Sequence, residues 1–524
     1  MHIISPLDQA PLGQYTATPA AEIHSKLAAA RQAAGEWAQI PVQTRAAKVA
    51  ALNRLLSKNT DRICQTLGLC GGKVPCDALL GDLFPLMAQL EYYRKHAKNI
   101  LAPKRVFTSP LMFPDAAAAM ERKPFGVAAV ISPWNYPLQL TLTPIITALI
   151  AGNGVIYKTS ELSAPVGDLI TELLAELQLP PGLTQQITGG RETGQAMIDA
   201  GPDMVFFTGG LAAGRAIMQR AAQHPIPALL ELGGKDAMLV LEDADLQRAC
   251  NAALYGAFNN SGQVCVGIER LYAHRDCHDA LLAKLLDGVA KLKVAPDQDV
   301  GALGNPAQWA IIEEHYADAV AQGAQTSGPL QRDGLFVKPV VLWNVHHGMK
   351  IMREESFGPL LPIMAFADAD EAVRLANDSA FGLNASVWSR NIPAAERLAR
   401  QLQVGNWAVN DVVRNIGHPG LGFGGVKHSG FGRYHGAEGL LAFSYPVSSL
   451  TSRSRSEVEA NWFPYGAERY AQLRGFLDFM YGEGPIKQRF LRNRVALQSF
   501  RRYSGIYPRQ IWHNLRALLP KRVY

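Results

Sequence analysis

From about residue 124 the chain changes texture, and this change restricts the fold more than any other feature. Four short apolar or β-branched runs, GVAAVIS, GNGVIYKTS, PDMVFFTGG and KDAMLVLED, each close on a turn signal and give way to a helical pattern. Strand-like runs alternating with helices over roughly 120 residues predict an α/β fold with a parallel sheet and crossover helices. Sheets of that kind bind ligands beyond the carboxyl ends of their strands. Asn135, Lys158, Glu161, Thr208, Gly209 and Gly210 close their runs and should therefore gather along one edge. A second alternating stretch covers residues 232–420, and residues 20–58 and 78–98 have the apolar spacing of outer helices. The segment GLLAFSYPVSSLTSRSRS, ending at Ser456, is polar and Ser-rich and reads as a boundary.

A chain of 524 residues exceeds what one hydrophobic core covers, which implies two or three packed domains. Apolar residues make up 48% and charged residues 18%, the balance of a folded chain rather than a disordered one. The start, MHIISPLDQAPLG, lacks the basic and apolar regions of a secretory signal. The most apolar stretch, residues 138–151, is broken by Gln139, three threonines and Pro144. It reads as a buried helix, not as the roughly 20-residue span a bilayer needs. Six cysteines in so long a chain do not form a disulfide framework and point to a reducing, cytoplasmic compartment. Cys64, Cys70 and Cys76 are spaced by six, unlike zinc ligands, so no metal site is expected. His346 and His347, with no acidic or cysteine partner nearby in sequence, read as surface residues.

Three residues stand out for their chemistry. Cys265, in NNSGQVCVG, follows small and polar residues that would place its thiol on a loop beside a cleft; a buried structural thiol is the plainer alternative. Glu231, in PALLELGGKD, sits in an apolar run, where an unpaired carboxylate costs several kcal/mol and its pKa should rise toward that of a base working near neutrality. A capping or surface carboxylate is the ordinary reading. Asn135, in SPWNYP, is held between Pro133 and Pro137, so its amide can serve as a fixed donor to a developing oxyanion or simply form a turn. The glycines of FFTGGLAAGR follow a strand-like run and open a helix, a weak phosphate-binding signal because the spacing is not G-x-G-x-x-G. Lys158 and Glu161 are suited to hold ribose hydroxyls, or form a solvated pair.

In order along the chain, PWNYP, YKTSE, FFTGG, LELGGK, GQVCVG, EESFGP, GNWAVN and FGGVKHSGFGRYHG resemble the motifs of the aldehyde dehydrogenase superfamily, over roughly residues 20–450. Cys265 stands 34 positions after Glu231. The resemblance implies a Rossmann-like cofactor domain, an α/β catalytic domain carrying Cys265, and a small β-ribbon that pairs subunits into a homodimer or homotetramer. In this numbering the cofactor domain is mainly 1–231, with part of the ribbon near 105–125. The catalytic domain is 232–420, a return segment with the oligomerisation strand is 421–455, and 456–524 is a C-terminal extension.

The implied reaction is NAD(P)-dependent oxidation of an aldehyde to an acid. Cys265 attacks the aldehyde to give a thiohemiacetal whose oxyanion is held by the Asn135 amide and the Cys265 N–H. Hydride passes to the nicotinamide, and Glu231 activates the water that frees the acid from the thioester. The positive nicotinamide ring and Glu231 are both candidates for favouring the thiolate. By the same resemblance Ser132, Trp134, Ser160, Thr208, Gly209, Gly210, Gly214 and Leu232 line the dinucleotide. Lys158 and Glu161 take the adenosine ribose, and Glu355 and Phe357 take the nicotinamide ribose and ring. A carboxylate at Glu161 would accept from a 2′-hydroxyl and repel a 2′-phosphate, which favours NAD over NADP. Gly210, Thr159 and Val264 depart from the family's common Ser, Pro and Thr, which bears on cofactor affinity rather than reaction type.

Two rival readings remain at this level. An acyl-CoA reductase of the same fold has no need of a water-activating carboxylate, so Glu231 opposes it. A catalytically inactive interaction protein has no physical reason to keep Cys265, Glu231 and Asn135 together. Tyr136 and Trp407 hint at an aromatic lining for the substrate. The tail is a separate matter. Residues 486–524 carry ten Lys and Arg and no Asp or Glu, so the remainder sums to −4 within an overall +6. Aromatic residues interleave with these charges, which suits peripheral contact with an anionic membrane or, equally, packing on the body of the chain or on a neighbouring subunit with the aromatics as anchors. No nucleic-acid partner is expected, because no recognition motif accompanies the charge.

Overall fold

A computed structural model of the chain describes residues 1–109, 112–113 and 116–498. It has two compact units, Met1–Leu101 with Lys123–Tyr445 and Ala102–Arg122 with Pro446–Tyr524. Two sheets organise the first unit. One has six strands in the spatial order Gly430–Phe431, Ala228–Glu231, Met204–Thr208, Val127–Ile131, Gly154–Lys158 and Thr184–Gln186. Its last five strands are parallel, and Gly430–Phe431 runs antiparallel along the Ala228–Glu231 edge. The other has seven strands in the order Gln325–Thr326, Val340–Trp343, Leu360–Phe366, Ile268–His274, Asp236–Val240, Asn384–Trp388 and Asn406–Val409. It is parallel except at the Gln325–Thr326 edge.

The β-branched runs arise because the central strands are covered on both faces. Val127–Ile131, Gly154–Lys158, Met204–Thr208 and Asp236–Val240 are buried at every position. The run in KDAMLVLED needs a correction, since its strand belongs to the second sheet, between Ile268–His274 and Asn384–Trp388. Residues 232–235 are too few for the crossover that would return the chain to the first sheet in parallel, so the chain passes from one sheet to the next.

Residues 138–151 form the expected buried helix, Gln139–Ala151, with all thirteen residues inside. Its carboxyl end is closed from outside the helix. The buried Arg45 donates to the Ile150 and Ala151 carbonyls at 3.1 and 3.2 Å, and Trp37 Nε1 donates to Leu149 at 2.7 Å. His346 and His347 lie in a turn rather than on a strand. His347 is half-buried and bonds the Tyr272 hydroxyl and Asp378, both at 2.8 Å, so the surface reading fails for it. Its acid partner is 31 positions away, out of reach of any local pattern.

The second unit contains a three-stranded sheet in the order Ser444–Ser452, Ala116–Pro124 and Lys104–Val106. The Ser-rich segment that reads as a boundary is thus a nine-residue strand; its Thr, Val and Tyr suit a pleated surface as well as a linker. Two helices follow, Ala467–Tyr481 and Ile486–Arg492. Arg501, Arg502, Arg509, Arg516, Lys521, Arg522, Trp512 and Tyr524, on which part of the tail reading rests, lie outside the described residues. No helix among the described residues is long and apolar enough to cross a membrane. All six cysteines are free thiols.

Candidate active site

Strand register brings the site together. Ile131 is level with both Lys158 and Phe207, and Thr208 is level with Glu231, so four strands end side by side. Glu231 is the last residue of its strand and is flanked on the far side by Gly430; Leu232 N continues the clasp by donating to the Ser429 carbonyl at 3.1 Å. The chain then crosses toward the second sheet beneath the loop that carries Cys265. A Cβ at Gly234 would overlap the Cys265 carbonyl oxygen, which is why this crossing needs glycine.

The Cys265 loop is strained and tightly held. Asn260 and Ser261 have φ of 48° and 58°, left-handed values that side-chain-bearing residues seldom adopt, followed by Gly262 at 75°. Asn260 N–H donates to Asp77 Oδ2 at 2.8 Å, and its amide donates to the Asn135 and Gln263 carbonyls at 3.1 and 3.2 Å. Ser261 Oγ donates to the Gly301 carbonyl at 2.8 Å, and Gly304 N–H donates to Gln263 Oε1 at 2.8 Å. Asn135 is part of the same lattice, donating from Nδ2 to the Gln263 carbonyl at 3.0 Å. That bond uses one of the two amide hydrogens and fixes the direction of the other. The turn around Asn135 is seated in turn on a buried ion pair. Lys73 Nζ lies 2.8 Å from Asp82 and 3.4 Å over the Tyr136 ring, and Asp82 accepts from Gln139 N at 3.0 Å.

Glu231 is only 2% exposed, and neither carboxylate oxygen has a hydrogen-bond partner among the described residues. Burial pushes its pKa well above the ordinary carboxyl value, neighbouring Glu355 adds to the rise, and Arg433 opposes it. Cys265 is half-buried, and the enclosing protein, followed by Glu231, Asp236 and Glu355, raises its thiol pKa well above 9.0. The Glu231 carboxyl lies close enough for its charge to act on the thiol, and the Asn135 amide is tied to the same loop two residues before Cys265. A buried, unpartnered carboxyl facing a thiol is unusual in a structural role.

The expected cofactor residues divide into two groups. Lys158 is buried; its Nζ donates to the Thr159 and Gly189 carbonyls at 3.0 and 2.7 Å and lies 3.6 Å from half-exposed Glu161. Burial lowers its pKa, with Glu161 working the other way. Ser132 Oγ donates to the Leu140 carbonyl at 3.2 Å, and Ser160 Oγ accepts from Leu162 N at 3.3 Å, so both are occupied in holding the backbone. Thr208 Oγ1 is buried without a hydrogen-bond partner among the described residues, just before the Leu211–Ala221 helix. Gly209 N–H donates to the Glu231 carbonyl at 3.0 Å, the space over Gly210 is open, and Gly214 packs against Leu232.

In the second group, Trp134 and Phe357 meet edge to face at 5.5 Å. Glu355 Oε1 accepts from Gly234 N at 2.8 Å and presses on Gly233; burial first, then Glu269, raises its pKa to about 8. A free hydroxyl at a helix start, an open glycine beside it and a Lys–Glu pair on the adjacent strand suit the phosphates and ribose of a dinucleotide. Among the described residues no group of three or more His, Cys, Asp or Glu is arranged to hold a metal.

Other groups carry weight that local sequence does not signal. Buried Lys235 pairs with Glu269, whose carboxylate accepts from Ser356 N and Phe357 N at 2.8 and 2.9 Å and so holds the EESFGP turn. Arg433 donates to the Gly425 and Gly432 carbonyls at 2.9 and 2.6 Å and faces Glu231. Lys235 and Arg433 stand within LELGGK and FGGVKHSGFGRYHG, so those motifs are the signal that could have found them; Glu269 has none. Tyr136 belongs to the site, with its ring on Lys73 and its hydroxyl 3.1 Å from Asn259 Oδ1. Trp407 is 36% exposed, with the Arg400 guanidinium 5.8 Å over its ring.

Comparison with known proteins adds context to this geometry. The family model described as "Aldehyde dehydrogenase family" matches residues 1–448. A protein of Methylomonas sp named 4,4'-diapolycopene aldehyde oxidase is 58% identical over 517 residues, covering 98% of this chain and 98% of its own. The crystal structure of a Mycobacterium tuberculosis aldehyde dehydrogenase complexed with NAD+ superposes with a TM-score of 0.80 at 31% identity, covering 85% of this chain and 93% of that one. An NADP dependent enzyme from E. coli superposes with a TM-score of 0.82 at 27% identity, over 86% and 94% of the two chains.

Proposed function

The chain belongs to the aldehyde dehydrogenase family, and on that premise we propose that its substrate is a long, apolar polyene aldehyde, oxidised to the acid at Cys265 with NAD. Aldehyde oxidation is the established part. The substrate proposal is carried by the 58% identity, over nearly the whole of both chains, with a protein named for a diapolycopene aldehyde. Initial rates on a panel of aldehydes test it. A detergent-dispersed polyene aldehyde should exceed a short dicarboxylic semialdehyde in kcat/KM by about 100-fold, since each buried methylene contributes about 0.8 kcal/mol. A preference for the short acid would remove the assignment.

In the proposed chemistry the Cys265 sulfur bonds to the carbonyl carbon while its proton passes to the Glu231 carboxylate. The carbonyl π electrons move to oxygen, where the free hydrogen of the Asn135 amide and the Cys265 N–H receive them. A bound nicotinamide supplies the hydride acceptor that takes the substrate to the oxidation level of a thioester. Glu231 releases the thiol's proton to solvent and then takes a proton from water as the water oxygen bonds to the acyl carbon. The C–S bond breaks, the acid leaves and the sulfur is regained. Acid release without CoA separates this course from acyl transfer to CoA. Asn135→Ala should lower kcat by about 10²–10³-fold with little change in dinucleotide affinity, as removal of one oxyanion donor does. Equal losses in kcat and in binding would point to a collapsed turn instead.

A nicotinamide dinucleotide as cofactor accords with relatives that bind NAD+ or depend on NADP. The preference for NAD rests on the half-exposed Glu161 carboxylate beside Lys158. Removing its charge in Glu161→Gln should shift the NAD to NADP ratio of kcat/KM toward NADP by about tenfold. An unchanged ratio would end this role. Subunit pairing through the Ser444–Ser452 sheet into a dimer or tetramer, the domain assignment of residues 1–231 and 232–420, and a cytoplasmic location belong to the same proposal. So does peripheral membrane contact through residues 456–524, which suits a substrate that dissolves in lipid.

A further inference from the structure

The Ala467–Tyr481 and Ile486–Arg492 helices pack against each other as a hairpin. Gly475 lets Ala496 approach closely, Phe479 meets Phe490 at 6.1 Å between ring centroids, and Asp478 accepts from Arg492 Nε and Nη2 at 2.8 and 2.7 Å. The opposite side of the first helix is apolar and open. Tyr470, Leu473, Leu477 and Tyr481 recur at three- and four-residue intervals, so they share one stripe, and they are 69, 36, 62 and 71% exposed. Exposed Arg474 falls on the border of that stripe. Just before the helix, Trp462, Phe463 and Tyr465 are also exposed. A stripe of large apolar side chains left in water on the outer face of a packed helix marks an interaction surface.

We propose that this stripe lies on an anionic lipid bilayer, with the helix parallel to the surface. Tyrosine and tryptophan favour the headgroup boundary, where the ring is apolar and the polar tip stays wet. Basic residues near an anionic surface contribute about 1 kcal/mol each, and residues 456–524 carry twelve Lys and Arg against five Asp and Glu, a net +7. Nucleic acid would meet the charge but leave the apolar stripe in water. A second copy of the chain would cover the stripe but bring two strongly basic segments together. An anionic bilayer meets both requirements. The match to the 58% identical relative spans 98% of this chain and so takes in most of the extension, whereas the family model ends at 448 and the superposed structures cover 85–86%. The extension therefore accompanies the relative named for a lipid-soluble aldehyde. That link to substrate rests on the reading above; the docking itself stands on the surface.

The test is co-sedimentation of the full chain with phosphatidylcholine vesicles, with and without phosphatidylglycerol. Binding should require the anionic lipid and weaken as salt is raised. Leu477→Glu combined with Tyr481→Glu should lower the bound fraction about tenfold, from lost apolar burial and added repulsion, while oxidation of a water-soluble aldehyde stays at the parent rate. A parent chain that stays in the supernatant, or a variant that sediments equally well, would overturn the proposal. So would a variant whose mass in solution falls to a smaller oligomer, since the stripe would then be a subunit contact. Binding to vesicles without oxidation of a polyene aldehyde dissolved in them would leave the docking standing and remove the substrate assignment.

Discussion

Cys265→Ala is expected to abolish aldehyde oxidation, by more than about 10⁴-fold, because alanine has no group that can form the covalent bond. The fold should be untouched. The loop that carries Cys265 is held by Asn260, Ser261 and Gln263 through their own hydrogen bonds, and none of these uses the sulfur. The lost atom is half-buried, so the stability change should stay near about 1 kcal/mol. Dinucleotide binding, followed by fluorescence titration, should match the parent. A variant that binds NAD normally yet keeps more than about 1% of the parent kcat would remove Cys265 from the nucleophile role.

The second large effect concerns Glu231. In Glu231→Gln the thioester should form and persist, so that the intact protein gains the mass of the acyl group and turnover falls about 10²–10⁴-fold. Glutamine keeps the shape of the side chain in its buried position but cannot take a proton from water. The pH dependence should change with it. On the proposed role, thioester hydrolysis in the parent depends on ionised Glu231, whose pKa burial holds well above the carboxyl range. The rate should therefore climb as pH rises through that folded value, and this limb should be absent from the variant. Stability runs the opposite way. A raised folded pKa means the native state holds the proton more tightly than the unfolded chain does, so this contribution is complete below the unfolded pKa and lost as pH rises through the folded one. Glu231→Gln has no such loss, and its Tm relative to the parent should increase as pH is raised. Steady turnover without a mass shift would reject the assignment.

Much of this was legible because it is written locally. Strands covered on both faces must be apolar at every position, so Val127–Ile131 and Met204–Thr208 declare themselves in one-dimensional text. Glu231 shows up as a charge inside such a run, and Asn135 as an amide between two prolines. What supports them is not legible. Asp82 reaches Gln139 across 57 positions and Asp77 reaches Asn260 across 183, so on the page they look like ordinary helix acids. Lys235 and Glu269 are 34 apart, and only the fold shows that together they hold the turn bearing Phe357. The sheet assignment of KDAMLVLED was misread for a related reason: an alternating pattern gives strands and helices but not which sheet receives a strand.

The clasp of Gly430–Phe431 along the Ala228–Glu231 edge has a consequence for how the enzyme comes into being. During translation Cys265 and Glu231 emerge some 160 to 200 residues before the strand that flanks Glu231, so a nascent chain released early lacks that edge of the site. On the proposed roles, aldehyde oxidation should therefore await synthesis past residue 431.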